Sequence, residues 1–201
     1  MLIMKTKITT YSVVTLAILL ILLVIGSWLV SILFPALEVR SMISGEGARW
    51  FLGTYSSFLA SAPTSWMVII GVTWGVMSES GMIRCVADKH RKYRERLALY
   101  SAIVLFSLYV IAVALLSVVP HAVLLSADGN LFPSPFSRSI IPMSCFGLFL
   151  SSAIFGIISG NTPRPSDVVL AMLSGITSVA PILVIWLLLS QFVMSLRFVL
   201  G

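Results

Sequence analysis

The stretch "TSWMVIIGVTWGVMSESGMIRCVADKHRKYRERLALYSAIVLFSLYVIAVALLSVV", residues 64–119, sets two long apolar runs on either side of a charged one. After Gly81, six bases (Arg84, Lys89, Arg91, Lys92, Arg94, Arg96) face two acids, Asp88 and Glu95. An apolar run of about 20 residues crosses a hydrocarbon core roughly 30 Å thick at 1.5 Å per residue. The flanking runs have that length, so the basic stretch reads as the loop between two membrane spans. Bases in such loops fix which side stays in the cytoplasm. They also attract anionic head groups, at about 1 kcal/mol for each base near the surface.

Composition extends this reading to the whole chain. It is 59% hydrophobic and 10% charged, where a soluble domain carries about 25% charged residues. The expected fold class is therefore an all-α integral membrane protein, with residues 1–201 as a single transmembrane domain. The net charge of +6 then records loop placement, not a nucleic-acid partner. Working outward, five spans are expected at about 11–34, 64–82, 97–119, 139–160 and 168–196, with the basic loop at 84–96. The first carries no charge, stops at Pro35 and is followed by no small-x-small cleavage site, so it reads as an uncleaved signal anchor. The fifth is too long for a straight crossing and holds Pro181 near its middle, which implies either a kink or a break lining a cavity.

The connections are also legible. From Glu46 to Leu59, Trp50, Phe51, Tyr55 and Phe58 alternate with small polar residues, which suits a short helix at the membrane interface. "SADGNLFPSPFSRS", residues 126–139, is turn-rich, closing with Pro133 and Pro135. Before the fifth span Ser166 is the expected cap, and Asp167 meets the positive end of the helix dipole. With the N-terminus in the cytoplasm, Lys5, Lys7, the six bases of the loop and Arg164 lie inside. Arg40, Arg49, Arg138 and Arg197 then lie outside. This asymmetry favours N-terminus in and C-terminus out.

Chemistry is sparse. The chain has no Gly-rich phosphate loop, HExxH, GxSxG or paired carboxylates, so no catalytic, cofactor-binding or metal-ligating residue is expected and the chain reads as no enzyme. His90 and His121 fall in loops. Cys85 and Cys145 stand too far apart for a clustered thiolate site. The polar candidates within or near the spans are Glu79, Ser174, Thr177, Ser178, Pro181 and Gln191. Glu79 can reach water, pair with Arg84, or serve a proton or ion; Gln191 suits a bond to a neighbouring helix. Gly71 and Gly75, and Ser152, Gly156 and Gly160, recur every four residues. That spacing lets helix backbones approach closely, either inside this unit or against another chain.

Three stretches carry a resemblance. "SGEGARWFLGTYSSFLASAPTSWMVIIGVTWGVMSESGMI" (44–83), "VVPHAVLLSADGNLFPSPFSRSIIPM" (118–143) and "FGIISGNTPRPSDVVLAMLSGITSVAPILVIWLLLSQFV" (155–193) are similar, in that order, to segments of the p-aminobenzoyl-glutamate transporter (AbgT) family. The third matches at Gly156, Gly160, Asp167, Val168, Val169, Met172, Gln191 and Phe192. The resemblance implies a bacterial inner-membrane protein. Longer members of the family move substrate with helical hairpins whose tips hold polar, substrate- and sodium-facing residues. Here Ser80-Gly81-Met82-Ile83 runs straight into the basic stretch, and the chain ends soon after Gln191-Phe192, so both hairpin regions are expected to be missing. The reading that results is a non-catalytic, transporter-derived subunit that packs its helices into a larger membrane complex. Its partners would be the lipid bilayer and other membrane subunits or further copies, with no cofactor and no nucleic acid. The alternative is a minimal AbgT-like transporter or channel, working as an oligomer or with a second chain.

Overall fold

The computed structural model describes residues 2–34, 39–88, 92–118 and 135–201. Within them lie seven helices: α1 (Leu2–Leu33), α2 (Gly45–Leu59), α3 (Ala62–Glu79), α4 (Met82–Ala87), α5 (Tyr93–Val118), α6 (Pro135–Ser159) and α7 (Pro165–Leu200). No strand occurs among the described residues. Five helical stretches are long and apolar enough to cross a membrane: Thr9–Leu33, Gly45–Glu79, Tyr93–Leu116, Ser139–Ser159 and Pro165–Leu200. The second contains both α2 and α3, which part where Ala60 caps α2 and its N–H turns back to Ser56 and Phe58. Lys89, His90, Arg91, Pro35, Pro120, His121 and the turn-rich stretch through Pro133 lie outside the described residues.

Helix ends are set by local polar chemistry. Ser44 caps α2, its Oγ accepting from Gly47 N at 3.0 Å. At α5, Glu95 reaches back one turn and accepts from Lys92 N at 3.1 Å. At α7, Asp167 does the same for Arg164 N at 3.0 Å. Both are the acidic half of a capping box, placed where the helix dipole favours negative charge. Pro165 takes the first helical position, where its missing N–H costs nothing. Ser166 is therefore inside the first turn and is not the cap its position in the sequence suggests.

The basic stretch is more helical than a loop. Gly81, at φ 78°, ends α3 in the left-handed region that glycine enters freely, and its carbonyl accepts from Cys85 N to start α4. With α4 ending at Ala87 and α5 beginning at Tyr93, the stretch is helical on both sides of the residues that lie outside the description.

The chain divides into two compact units: residues 1–65 with 180–201, and residues 66–179. In the first, Met42, Phe198 and Val199 form the core, with Leu23, Val24, Trp50 and Phe51 packed around them. Trp50 stacks on Phe198 at 4.5 Å between ring centroids, and the Arg40 guanidinium sits 5.9 Å from that ring. The segment after α1 folds back, so that Met42 N donates to Ser27 Oγ at 3.3 Å. In the second unit, Cys85, Ala98, Ala102 and Phe155 form the core, with Met82, Leu99 and Ile158 against it. Two alanines one turn apart on α5 leave room for the Phe155 ring of α6.

Candidate functional site

The second unit holds most of the residues to which the sequence draws attention. Where α3 crosses α7, glycine meets glycine. A Cβ at Gly75 would stand 2.5 Å from Gly175 N and 2.6 Å from Gly175 Cα, and against the Ala171 carbonyl. A Cβ at Gly175 would press on the Gly71 carbonyl, and one at Gly71 would stand 3.0 Å from Val179 Cγ2. The backbones are in direct contact, which only hydrogen at these positions permits. Gly175 escaped sequence reasoning, although Ala171-x-x-x-Gly175 carries the same spacing as Gly71 and Gly75.

The glycines and serine of α6 meet other parts of the same unit. Ser152 is fully buried, its Oγ donating to Phe149 O at 3.0 Å. Above Gly156, the Thr162 hydroxyl occupies the space of a side chain, and Ser80 Cβ lies at 3.1 Å from a Cβ there. Gly160, at φ 86°, ends α6, and its N–H and that of Thr162 both return to the Gly156 carbonyl. Over this turn lies Arg94 of the basic stretch, whose Nε donates to Ile158 O at 2.7 Å. Arg94 thus caps the negative end of α6, a task that counting loop charges does not reveal. Arg84, Lys92 and Arg96 are exposed.

Of the polar candidates, the structure brings Glu79 and Ser174 together. Glu79 is exposed and accepts from Ser174 Oγ at 3.2 Å. The hydroxyls of Thr177 and Ser178 each donate to the carbonyl one turn back on α7, at 2.9 Å. Pro181 lies within α7 and is exposed; the helix continues through it to Leu200. Gln191 is buried in the first unit, its Nε2 3.5 Å from Ser195 Oγ and its Oε1 without a hydrogen-bond partner. Cys85 and Cys145 are both buried.

Two clefts of the second unit involve these residues. One, of about 410 Å³, lies where α3 ends and α7 begins and is lined by Glu79, Asn161, Thr162, Asp167, Ala171 and Ser174. The other, of about 620 Å³, is apolar, with Val72, Thr73, Tyr109, Phe146, Phe149 and Met172 on its walls. Its two hydroxyls of note are already bonded. Thr73 donates to Ile69 O at 2.9 Å and lies 3.3 Å from Cys145 O, and Tyr109 donates to Met143 O at 2.9 Å. Among the described residues no group of three or more His, Cys, Asp or Glu side chains can hold a metal ion.

A family model, that of the AbgT putative transporter family, matches residues 84–199. The match contains the second and third of the stretches quoted above, while 44–83 precedes it. No curated protein and no solved structure matches the chain.

Proposed function

Because the chain belongs to the AbgT transporter family, and is thereby a transporter-related membrane protein, we propose that it is a non-catalytic subunit working by helix packing within a larger membrane complex. The observation that carries this reading is the state of the polar groups in the spans. Thr73, Ser151, Ser152, Thr177 and Ser178 each donate to a carbonyl of their own helix. A carrier needs groups near the midplane that replace the water of its solute, supplied by broken helices or free polar atoms. Here those five hydroxyls are engaged, the buried Gln191 Oε1 and Trp186 Nε1 are left without a partner, and α7 runs unbroken past Pro181. Orientation in a bacterial inner membrane, with the N-terminus in the cytoplasm and the C-terminus outside, follows from the distribution of Lys and Arg.

The second reading, a minimal transporter acting as an oligomer or with another chain, is favoured by one feature. The cleft at the ends of α3 and α7 presents two carboxylates, Glu79 and Asp167, and no base. One experiment separates the two. Purified alone and reconstituted in liposomes, the protein is expected to show no saturable uptake of p-aminobenzoyl-glutamate, while mild-detergent purification brings other membrane chains with it. Saturable uptake lost on Glu79→Gln or Gln191→Ala would replace the scaffold with the carrier.

A further inference from the structure

The chain passes between its two compact units twice, from Ser65 to Trp66 in the first turn of α3 and from Val179 to Ala180 in α7. Both passages fall where a helix is short of backbone hydrogen bonds. The first N–H groups of α3 have no carbonyl of their own helix to meet, and Pro63 brings none. In α7, Pro181 has no N–H to donate to the Thr177 carbonyl one turn back, and its ring crowds that carbonyl. Just before it, the Thr177 and Ser178 hydroxyls donate to Leu173 O and Ser174 O at 2.9 Å. Such back-bonding loads carbonyls that the helix's own N–H groups also use, and it bends helices. Packing is thin at the same place. Val179 still lies against α3, its Cγ2 3.0 Å from a Cβ built at Gly71. Trp186 already faces Phe58 of α2, with ring centroids 6.1 Å apart. Between these two anchors Pro181, Ile182 and Val184 are exposed.

We propose that residues 180–185 of α7 are a hinge, about which the two units tilt in the membrane, each as a rigid body. Firm packing on either side keeps the bend local. In the unit before the hinge, Gly75 and Gly175 hold α3 and α7 backbone to backbone. In the unit after it, Trp50 stacks on Phe198. Hinges are a few residues that absorb a change of dihedral angles while the packed parts beside them keep their shape. At the other passage the change falls on the first turn of α3. The corner before that turn stays with the first unit, because Thr64 Oγ1 lies 3.3 Å from Phe58 O and 3.2 Å from Ser61 Oγ. The motion opens no polar site, and it applies to a packing subunit and to a carrier alike.

Double electron–electron resonance on the full chain in lipid nanodiscs tests the hinge, with Cys85 and Cys145 replaced by alanine and spin labels on introduced cysteines. Leu22, Leu52, Tyr100 and Leu170 are each more than half exposed and suit labelling. Leu52→Cys with Tyr100→Cys spans the two units, Leu22→Cys with Leu52→Cys lies in the first, and Tyr100→Cys with Leu170→Cys lies in the second. The spanning pair is expected to give a distance distribution about twofold or more broader than either internal pair, since freezing traps the orientations that a hinge visits. Pro181→Ala supplies the missing N–H and should narrow the spanning pair to the width of the internal ones, which do not change. In the chain with its own cysteines, Pro181→Ala should slow amide exchange of residues 182–185 by about tenfold or more. A spanning distribution as narrow as the internal ones, or one that Pro181→Ala leaves broad, would overturn the hinge. So would exchange at 182–185 no faster than at 186–198 in the unsubstituted protein, a measurement that serves even if the labelled variants do not fold.

Discussion

At Gly75 a single methyl group would meet the backbone of Gly175, and backbone cannot rotate out of the way as a side-chain tip can. Gly75→Ala is therefore expected to destabilise as a larger residue does, by about 1–3 kcal/mol, the usual cost of overpacking. Gly26 and Gly53 sit in helices with nothing within 4 Å of a built Cβ. For Gly26→Ala or Gly53→Ala the expected change is neutral, or a gain of up to about 1 kcal/mol from helix propensity. Thermal unfolding of the purified protein checks all three, and equal behaviour of Gly75 and Gly26 would remove the crossing. Gln191 gives a second case. Its buried Oε1 lacks a partner, and replacing such a group by an apolar one of similar shape is near neutral or stabilising. Gln191→Leu should keep or raise the thermal midpoint. A marked fall would mean that the amide serves an internal bond or a partner.

Among elements, α5 and α6 are tied at two levels. Tyr109 lies over Gly147, 2.6 Å from a built Cβ, and donates to Met143 O, while Arg94 closes the far end on Ile158 O. Tyr109→Phe removes only the hydroxyl and should cost about 0.6 kcal/mol, typical of a bond between membrane helices. Arg94→Gln should cost roughly 0.3–1 kcal/mol, the range for a cation at an exposed helix C-terminus. It should also speed amide exchange in the last turn of α6, with partial rescue by Arg94→Lys. Exchange unchanged in residues 156–160 would show that the guanidinium merely rests there.

For the whole molecule the charge asymmetry predicts sidedness. Cys85 and Cys145 are both buried, so neither reports exposure to an impermeant thiol reagent, and probes must be placed at exposed positions. Lys92→Cys is expected to resist labelling in intact cells, and a cysteine added after Gly201 to label readily. The reverse pattern would invert the protein in the membrane. It would leave the helix contacts untouched, because packing does not depend on which side is which.

The membrane class, the helical fold and the five helices long and apolar enough to cross follow from the sequence by itself, because crossing a membrane needs only a length of apolar residues and that is a local property. The helix between residues 46 and 59 was legible for the same reason, as aromatic and small polar residues alternate there. The AbgT likeness was also readable, in the second and third of the quoted stretches, which the family match contains. Tertiary structure alone decided which surfaces meet. Gly75 and Gly175 lie a hundred residues apart, and no spacing within one helix says which glycine faces which. Arg94 could not be told from Arg96 by sequence, since both are bases on the first turn of α5. Only the position of α6 makes one of them a helix cap.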